Sequence, residues 1–395
     1  MKHRRFLAAL LAAAVLCPLA ALAAGEKNVD NLPTGNLEGF ESSITWFGED
    51  FAYDITDEEA CWELLQRPIT VLDVSEKELV YPRVSPNGEK VVNEWMGGSI
   101  NGSLAAVHVL GEDEDGWTLI EGMDYYDRII RGYVKTSLLK TVTPNNKYGI
   151  IIDKLTQRLY MFIDGKLWSS CAVSTGLPNK DQPYNETAAG EYLIGSWVGG
   201  FDSEGMYCEM GIRFNGGDLL HQVPYVEFAD GTKDFSKYGS QLGRKASHGC
   251  VRVARTANDE GLCISWLWEN LKKNTKVVVW DDDGRTLPYP DDDLEVYYNP
   301  DGGTSYHATA TCRSVRDKYL PLTAFTYGEL DSGKYASLTG CTNCIPVKRR
   351  AEIDEINRER IDLGELLKNP VYTGGATTGG GAQAEDSAAS DSPEA

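Results

Sequence analysis

Residues 243–255 read GRKASHGCVRVAR and set His248 and Cys250 two positions apart around Gly249. A free thiol titrates near 8.5, so at neutral pH it is mostly protonated. A neighbouring imidazole or oriented backbone amides turn it into a thiolate nucleophile. The sulfur must also be reachable by a carbonyl, and Gly249 leaves room for a backbone amide to approach an oxyanion. Ser247, His248, Gly249 and Cys250 therefore supply the parts of an acyl-transfer site: thiol, imidazole and oxyanion donors. A second histidine, His221, follows the apolar pair Leu219-Leu220 in NGGDLLHQ. That pattern places it at the end of a buried strand, where a general base would be held still. A structural histidine with both nitrogens satisfied fits the same pattern.

A different grouping lies near the C-terminus. YHATATC and CTNC give His307, Cys312, Cys341 and Cys344. Three sulfurs and one nitrogen suit tetrahedral zinc with no open position, hence a structural site. A Cys312 disulfide to either member of the Cys341/Cys344 pair is the other arrangement this spacing allows. A module as small as residues 295–348 needs a staple of one kind or the other. Cys171 and Cys263 sit in apolar runs and read as buried small hydrophobes, with Cys61 and Cys208 treated likewise.

These groups need elements to position them. The 395-residue chain carries 38 Lys+Arg against 59 Asp+Glu, a formal net charge of −21. That balance excludes a phosphate-binding surface and so argues against nucleic acid. The first residues, MKHRRFLAALLAAAVLCPLAALA, form a basic start, an apolar run and a small-residue cleavage pattern. We expect a signal peptide over 1–23, with an uncleaved anchor as the alternative, and an exported chain in the cell wall or periplasm. Residues 24–65 read as a spacer or packing segment, with a short helix ending before Pro68. Residues 66–142 have short strands at the spacing of a small barrel. GWTLIE and RGYVKTSLL resemble the end of bacterial Src-homology-3-like barrels, and Trp117, Tyr125, Tyr126 and Tyr133 would form a ligand groove or core there. Residues 146–282 are β-rich, with a hairpin turn at Asp164-Gly165 and one clear helix in TANDEGLCISWLWENLKKN. Residues 349–395 read as a charged helix and a tail too poor in apolar residues to order itself.

Over residues 147–281 the chain resembles the L,D-transpeptidases with a YkuD-type catalytic domain. VSTGLPNKDQPYNETAAGEYLIGSW, MGIRFNGGDLLHQ, ASHGCVRV and NTKVVVWD carry the resemblance. Among cell-wall cysteine enzymes, the NlpC-type peptidases place cysteine before histidine; here His221 precedes Cys250. The fold class implied is mostly β: a YkuD-type domain with one main helix, a small barrel before it and a small Cys/His module after it. The resemblance makes Cys250 the nucleophile and His221 its base, held by the Gln222 carbonyl. Ser247, His248 and Gly249 would line the oxyanion and substrate site. Arg252 would orient the loop or contact the donor's carboxylate, and Gln222 stands beside it as a substrate-side residue. The implied substrates are peptidoglycan stem peptides, the implied covalent inhibitors are carbapenems, and no cofactor is implied for catalysis. A thioester formed on a tetrapeptide stem would pass to an amine, giving a 3→3 cross-link, or to water, giving an L,D-carboxypeptidase. A wall-binding protein with a decayed site is the non-enzymatic alternative. The 25 residues from 222 to 246 are longer than this family usually inserts between the histidine and the serine.

Overall fold

Asp57 caps the first described helix, α1 (Glu58–Gln66). Its side chain accepts from the Ala60 N–H at 3.0 Å, and Glu58 and Glu59 put negative charge at the positive end of the helix dipole. The helix ends at Arg67, in extended conformation, because Pro68 disfavours a helical residue before it. The computed structural model describes residues 52–368, apart from 92–97, 103, 113–114, 125–128, 180–181, 183–184 and 204. The expected signal peptide, most of the 24–65 segment and the tail from residue 369 fall outside the described residues. The helix itself is no free spacer. Cys61, Leu64 and Leu65 are buried against Ile151, Phe162, Val278 and Trp280 of the large sheet. Burying one leucine this way contributes about 2 kcal/mol.

The next unit contains strands β1 (Ile69–Leu72), β2 (Leu79–Val80), β3 (Ile100–Asn101), β4 (His108–Glu112), β5 (Trp117–Met123), β6 (Ile129–Lys135) and β7 (Leu139–Val142). β1 pairs with β7, β2 with β3, and β4, β5 and β6 form an antiparallel meander. Leu72, Ile100, Val107, Ile120, Ile130 and Val134 fill its core. Trp117 is buried and belongs to the interior rather than to an open groove. Tyr125 and Tyr126 lie outside the described residues.

The large sheet is built from β8 (Tyr148–Asp153), β9 (Arg158–Ile163), β10 (Lys166–Ser174), β11 (Gly190–Leu193), β12 (Trp197–Ser203), β13 (Met206–Arg213) and β14 (Leu219–Gln222). After the short hairpin β15 (Val226–Glu227) and β16 (Lys233–Asp234) and helix α2 (Ser236–Gly239), it adds β17 (Val251–Val253). Helix α3 (Ile264–Asn270) and β18 (Lys276–Trp280) close the unit. Among the described residues, nine strands run in the order β11-β18-β8-β9-β10-β17-β14-β13-β12. The β18–β8 and β14–β17 pairs are parallel and the other pairs antiparallel. Asp164 and Gly165 both have positive φ, 49° and 87°. That is the mirror-image turn that matches strand twist in a two-residue hairpin. α3 buries Ile264 and Leu267 in the same core as Ile150, Val173, Leu220 and Val251. The apolar runs Ile150–Ile152 of β8 and Val277–Val279 of β18 are the pattern of strands covered on both faces.

The last unit is a four-stranded sheet, β21-β19-β20-β22, from β19 (Glu295–Tyr298), β20 (Ser305–His307), β21 (Thr323–Thr326) and β22 (Thr339–Gly340), followed by α4 (Arg350–Lys368). It is tied to the large sheet by polar contacts. Arg158 Nη2 donates to Ile345 O at 2.9 Å, Lys348 Nζ to Gly243 O at 3.0 Å, and Arg360 Nη2 to Leu155 O at 2.6 Å. No helix among the described residues is long and apolar enough to cross a membrane.

Candidate active site

The parallel pair β14–β17 is the frame of the site. Its register sets Leu220 beside Val251 and His221 beside Arg252, so the SHGC turn enters β17 next to the strand that carries His221. Both strands are short, and their apolar residues Leu220, Val251 and Val253 are fully buried. The two chemical groups therefore sit at the ends of rigid, core-packed strands rather than on free loops.

His221 is buried, 3% exposed. Its Nδ1 lies 2.7 Å from Gln222 O. A carbonyl can only accept, so Nδ1 carries the proton and Nε2 is left as the base. Burial, with the Arg252 charge acting in the same direction and the Gln222 carbonyl opposing, pushes the imidazole down to about 4. It is neutral at physiological pH and ready to accept a proton. The Phe201 ring stands edge-on to the imidazole at 5.3 Å.

Cys250 is partly exposed. Its Sγ lies 4.0 Å from Gly217 O. Burial of the thiol, then the nearby Asp218 carboxyl, hold it well above the usual thiol range, against a hydrogen bond from the Leu219 N–H. The resting pair is thus neutral thiol and neutral imidazole.

The turn around the thiol is held by hydrogen bonds at Ala246, Ser247, Gly249 and Cys250. Ser247 is buried; its hydroxyl donates to Cys250 O and accepts a longer bond, 3.3 Å, from Gly249 N–H. The Ser247 and Ala246 N–H groups both donate to Thr175 O, at 3.0 and 2.8 Å, and Leu177 N–H donates to Ser247 O at 2.9 Å. Gly249 has φ +123°, a conformation that any side chain would strain, and a β-carbon there would lie 2.5 Å from Asp218 Oδ1. His248 is exposed at the rim. Arg252 is buried: Nη1 donates to Gln241 Oε1 at 2.7 Å and its guanidinium lies over the Tyr238 ring at 5.4 Å. Of its two expected roles, these contacts serve the one of orienting the loop. Gln222 is likewise buried, its Nε2 3.5 Å from Glu209 Oε2. It reaches the site through its main-chain carbonyl, not as a surface residue for substrate.

The long 222–246 insertion is a braced flap. Glu209 on β13 accepts from Tyr225 Oη at 2.8 Å and Lys233 Nζ at 2.7 Å, and Tyr207 stacks on Tyr225 at 5.7 Å. Two residues that carry the turn were not singled out from sequence. Thr187, fully buried, donates through Oγ1 to Gly249 O at 2.5 Å and accepts from Gly176 N–H at 2.8 Å. Its place in TAAG was visible, but its partner 62 residues on was not. Asp218 lies in the quoted NGGDLLHQ; an acid directly before a buried apolar pair was the available signal.

The other Cys/His set also converges. One nitrogen and three sulfurs, from His307, Cys312, Cys341 and Cys344, all lie within 4.8 Å of one another. Cys312 and Cys341 sulfurs are 3.9 Å apart, and Cys344 Sγ is 3.6 Å from His307 Nδ1. The edges of a tetrahedron with Zn–S of ~2.3 Å and Zn–N of ~2.0 Å are about 3.8 and 3.5 Å. A disulfide needs sulfurs about 2.05 Å apart; here the Cys312 and Cys341 sulfurs stay 3.9 Å apart and the cysteines are free. N–H groups of Ala308 and Asn343 point at Cys344 and Cys341 sulfurs, 3.3 and 3.4 Å away, as donors to thiolate ligands do. The residues fit a metal.

Residues 147–279 match the family model of the L,D-transpeptidase catalytic domain, YkuD. This segment is a YkuD-type L,D-transpeptidase domain. No curated protein matches the chain. Among solved structures it is similar to a fused Zn-dependent amidase/peptidase/peptidoglycan-binding-domain protein from Clostridium acetobutylicum at 20% identity, covering 35% of this chain and 55% of that one, TM-score 0.24. An L,D-transpeptidase from Stackebrandtia nassauensis is 22% identical over 34% of this chain and 56% of that one, TM-score 0.25. The catalytic domain of the E. faecium L,D-transpeptidase is 16% identical over 34% of this chain and 98% of that one, TM-score 0.25. The chain thus spans little more than half the length of the first two. The matched L,D-transpeptidase domain contains β8 through most of β18, with the SHGC turn and His221 both inside it.

Proposed function

We propose that this chain is an exported cell-wall L,D-transpeptidase in which Cys250 is the nucleophile and His221 the base. The observation that carries the reading is the Nδ1–H of His221 held by Gln222 O beside the SHGC turn, which leaves Nε2 to take the thiol proton. Attack of Cys250 Sγ on the carbonyl of the third stem residue forms a thioester. The bond to the terminal D-alanine breaks, and the imidazolium of His221 returns its proton to the departing amine. The Cys250 backbone amide, with Gly249 leaving room beside it and His248 at the rim, lines the site of the developing oxyanion. Arg252 holds the turn through Gln241 and Tyr238. An amine of a second stem then attacks the thioester and yields a 3→3 cross-link.

Mass analysis of muropeptides incubated with the purified protein tests this. The expected products are 3→3 dimers. Trimmed tripeptides alone would make water the acceptor. The Cys250→Ala variant is expected to lose turnover by at least ~10³-fold with its fold intact; retained turnover would falsify the assignment. A carbapenem is expected to add its mass to Cys250 and not to the variant. His307, Cys312, Cys341 and Cys344 would hold a structural zinc, which supplies cross-linking of the small module and no catalytic step.

A further inference from the structure

Asp218 takes no step in the chemistry just proposed, yet it lies against the turn that carries Cys250. It is 7% exposed. Its Oδ2 is buried with no hydrogen-bond partner among the described residues, and its Oδ1 lies 2.5 Å from the point where a β-carbon on Gly249 would sit. The residues on either side of it touch the nucleophile: Gly217 O is 4.0 Å from Cys250 Sγ, and Leu219 N–H donates to that sulfur. The groups that face Asp218 are few. Asn215, in the turn before it, and Arg213 on β13 favour its anion; Glu186, from the segment before β11, opposes it. Arg213 is in turn engaged with Glu76 at 3.9 Å and with Gly216 O. A carboxylate with a spare buried oxygen and an adjacent thiol that must ionise cannot both be charged cheaply.

Resting on the reading of Cys250 as nucleophile, we propose that Asp218 is a positioning residue that decides when Cys250 becomes a thiolate. As a neutral acid it fills the pocket behind Gly249 and tolerates the anion. As a carboxylate it puts a second negative charge beside both the sulfur and the oxyanion. Burial sets this exchange within reach of neutral pH, since it raises the Asp218 carboxyl to about 7. Two protons then leave neighbouring sites in turn, and the loss of the first makes loss of the second harder.

The pH dependence of Cys250 alkylation reads this directly. With iodoacetamide the sulfur–carbon bond forms, iodide leaves and the thiol proton goes to solvent, so the rate follows the thiolate. Modification is located on Cys250 by peptide mass. In the full chain, the logarithm of the rate should rise with pH, flatten between about pH 6 and 8 as Asp218 ionises, and rise again. Asp218→Asn should remove the flattened interval and speed alkylation at pH 8 by about tenfold. The His248→Gln variant should keep the interval, which assigns it away from the rim imidazole. An unbroken wild-type profile would overturn the proposal whether or not Asp218→Asn folds; so would a folded Asp218→Asn protein with the wild-type profile. Because alkylation needs no substrate, these results stand apart from turnover by Cys250→Ala, which tests the nucleophile itself.

Discussion

Two places in this molecule bring histidine and cysteine together, and they differ in how many groups converge and on what supports them. At the SHGC turn one thiol keeps some exposure, and on the neighbouring strand one buried imidazole has a hydrogen bond to a carbonyl. In the C-terminal module three sulfurs and one nitrogen close on a common point. A lone pair of groups on rigid strands retains a proton to move. A fourfold set of this kind would leave no open position on a metal and would give up its protons to it. Residue type alone does not separate reactive from structural cysteine; the number of converging ligands does.

The largest effect should come from breaking the fourfold set. Cys341→Ser, or treatment with a chelator, is expected to remove a bound zinc. Such ions contribute on the order of 10 kcal/mol to small modules. Metal analysis and limited proteolysis should therefore show residues 295–348 losing zinc and protection together. Alkylation of Cys250 should change by no more than several-fold. Full loss of Cys250 reactivity on chelation would erase the contrast.

A smaller effect belongs to His221. The unfolded imidazole titrates near 6.5, while the buried one is held at about 4. The folded form therefore refuses a proton that the unfolded chain accepts. This group's contribution is complete above pH ~6.5 and is lost as pH falls towards 4, about 3 kcal/mol in all. Urea unfolding of the wild type and His221→Asn between pH 4 and 7 should give a shallower slope for the variant. Equal slopes would mean that His221 is not the protected neutral base described above.

The least effect should follow Lys348→Ala, which removes the bond to Gly243 O and tests how far the structural region supports the reactive one. A hydrogen bond of this kind is worth about 1 kcal/mol, so carbapenem acylation should slow by several-fold at most. A drop of a hundredfold would show that the two regions work as one.

The candidate site was open to reading because its signal is local. His248, Gly249 and Cys250 are adjacent, and Leu219-Leu220 announces the buried strand under His221. The cluster was legible for the same reason in CTNC. What could not be read were contacts made across the sheet. Thr187 reaches Gly249 from 62 residues away, and Asp218 gains its meaning only when the β14–β17 pairing sets it behind Gly249. The resemblance put Gln222, and Arg252 in one of its two implied roles, on the substrate side; Gln241 and Glu209, 11 and 13 residues away, draw them inward. Helix α1 was visible from Asp57 to Pro68, whereas the sheet it packs on begins only at residue 148.

That packing has a mechanical consequence. The β1–β7 unit is attached to the large sheet at both of its ends: by α1, wedged onto β8 and β18, and by β8 itself, which follows β7 after five residues. A third attachment comes from Ala106 N–H to Glu191 O and Leu193 N–H to Leu104 O, at 2.9 Å each. A pull on that unit is therefore shared by several strands and a helix, and the unit is kept at a set distance from the large sheet rather than swung on a leash.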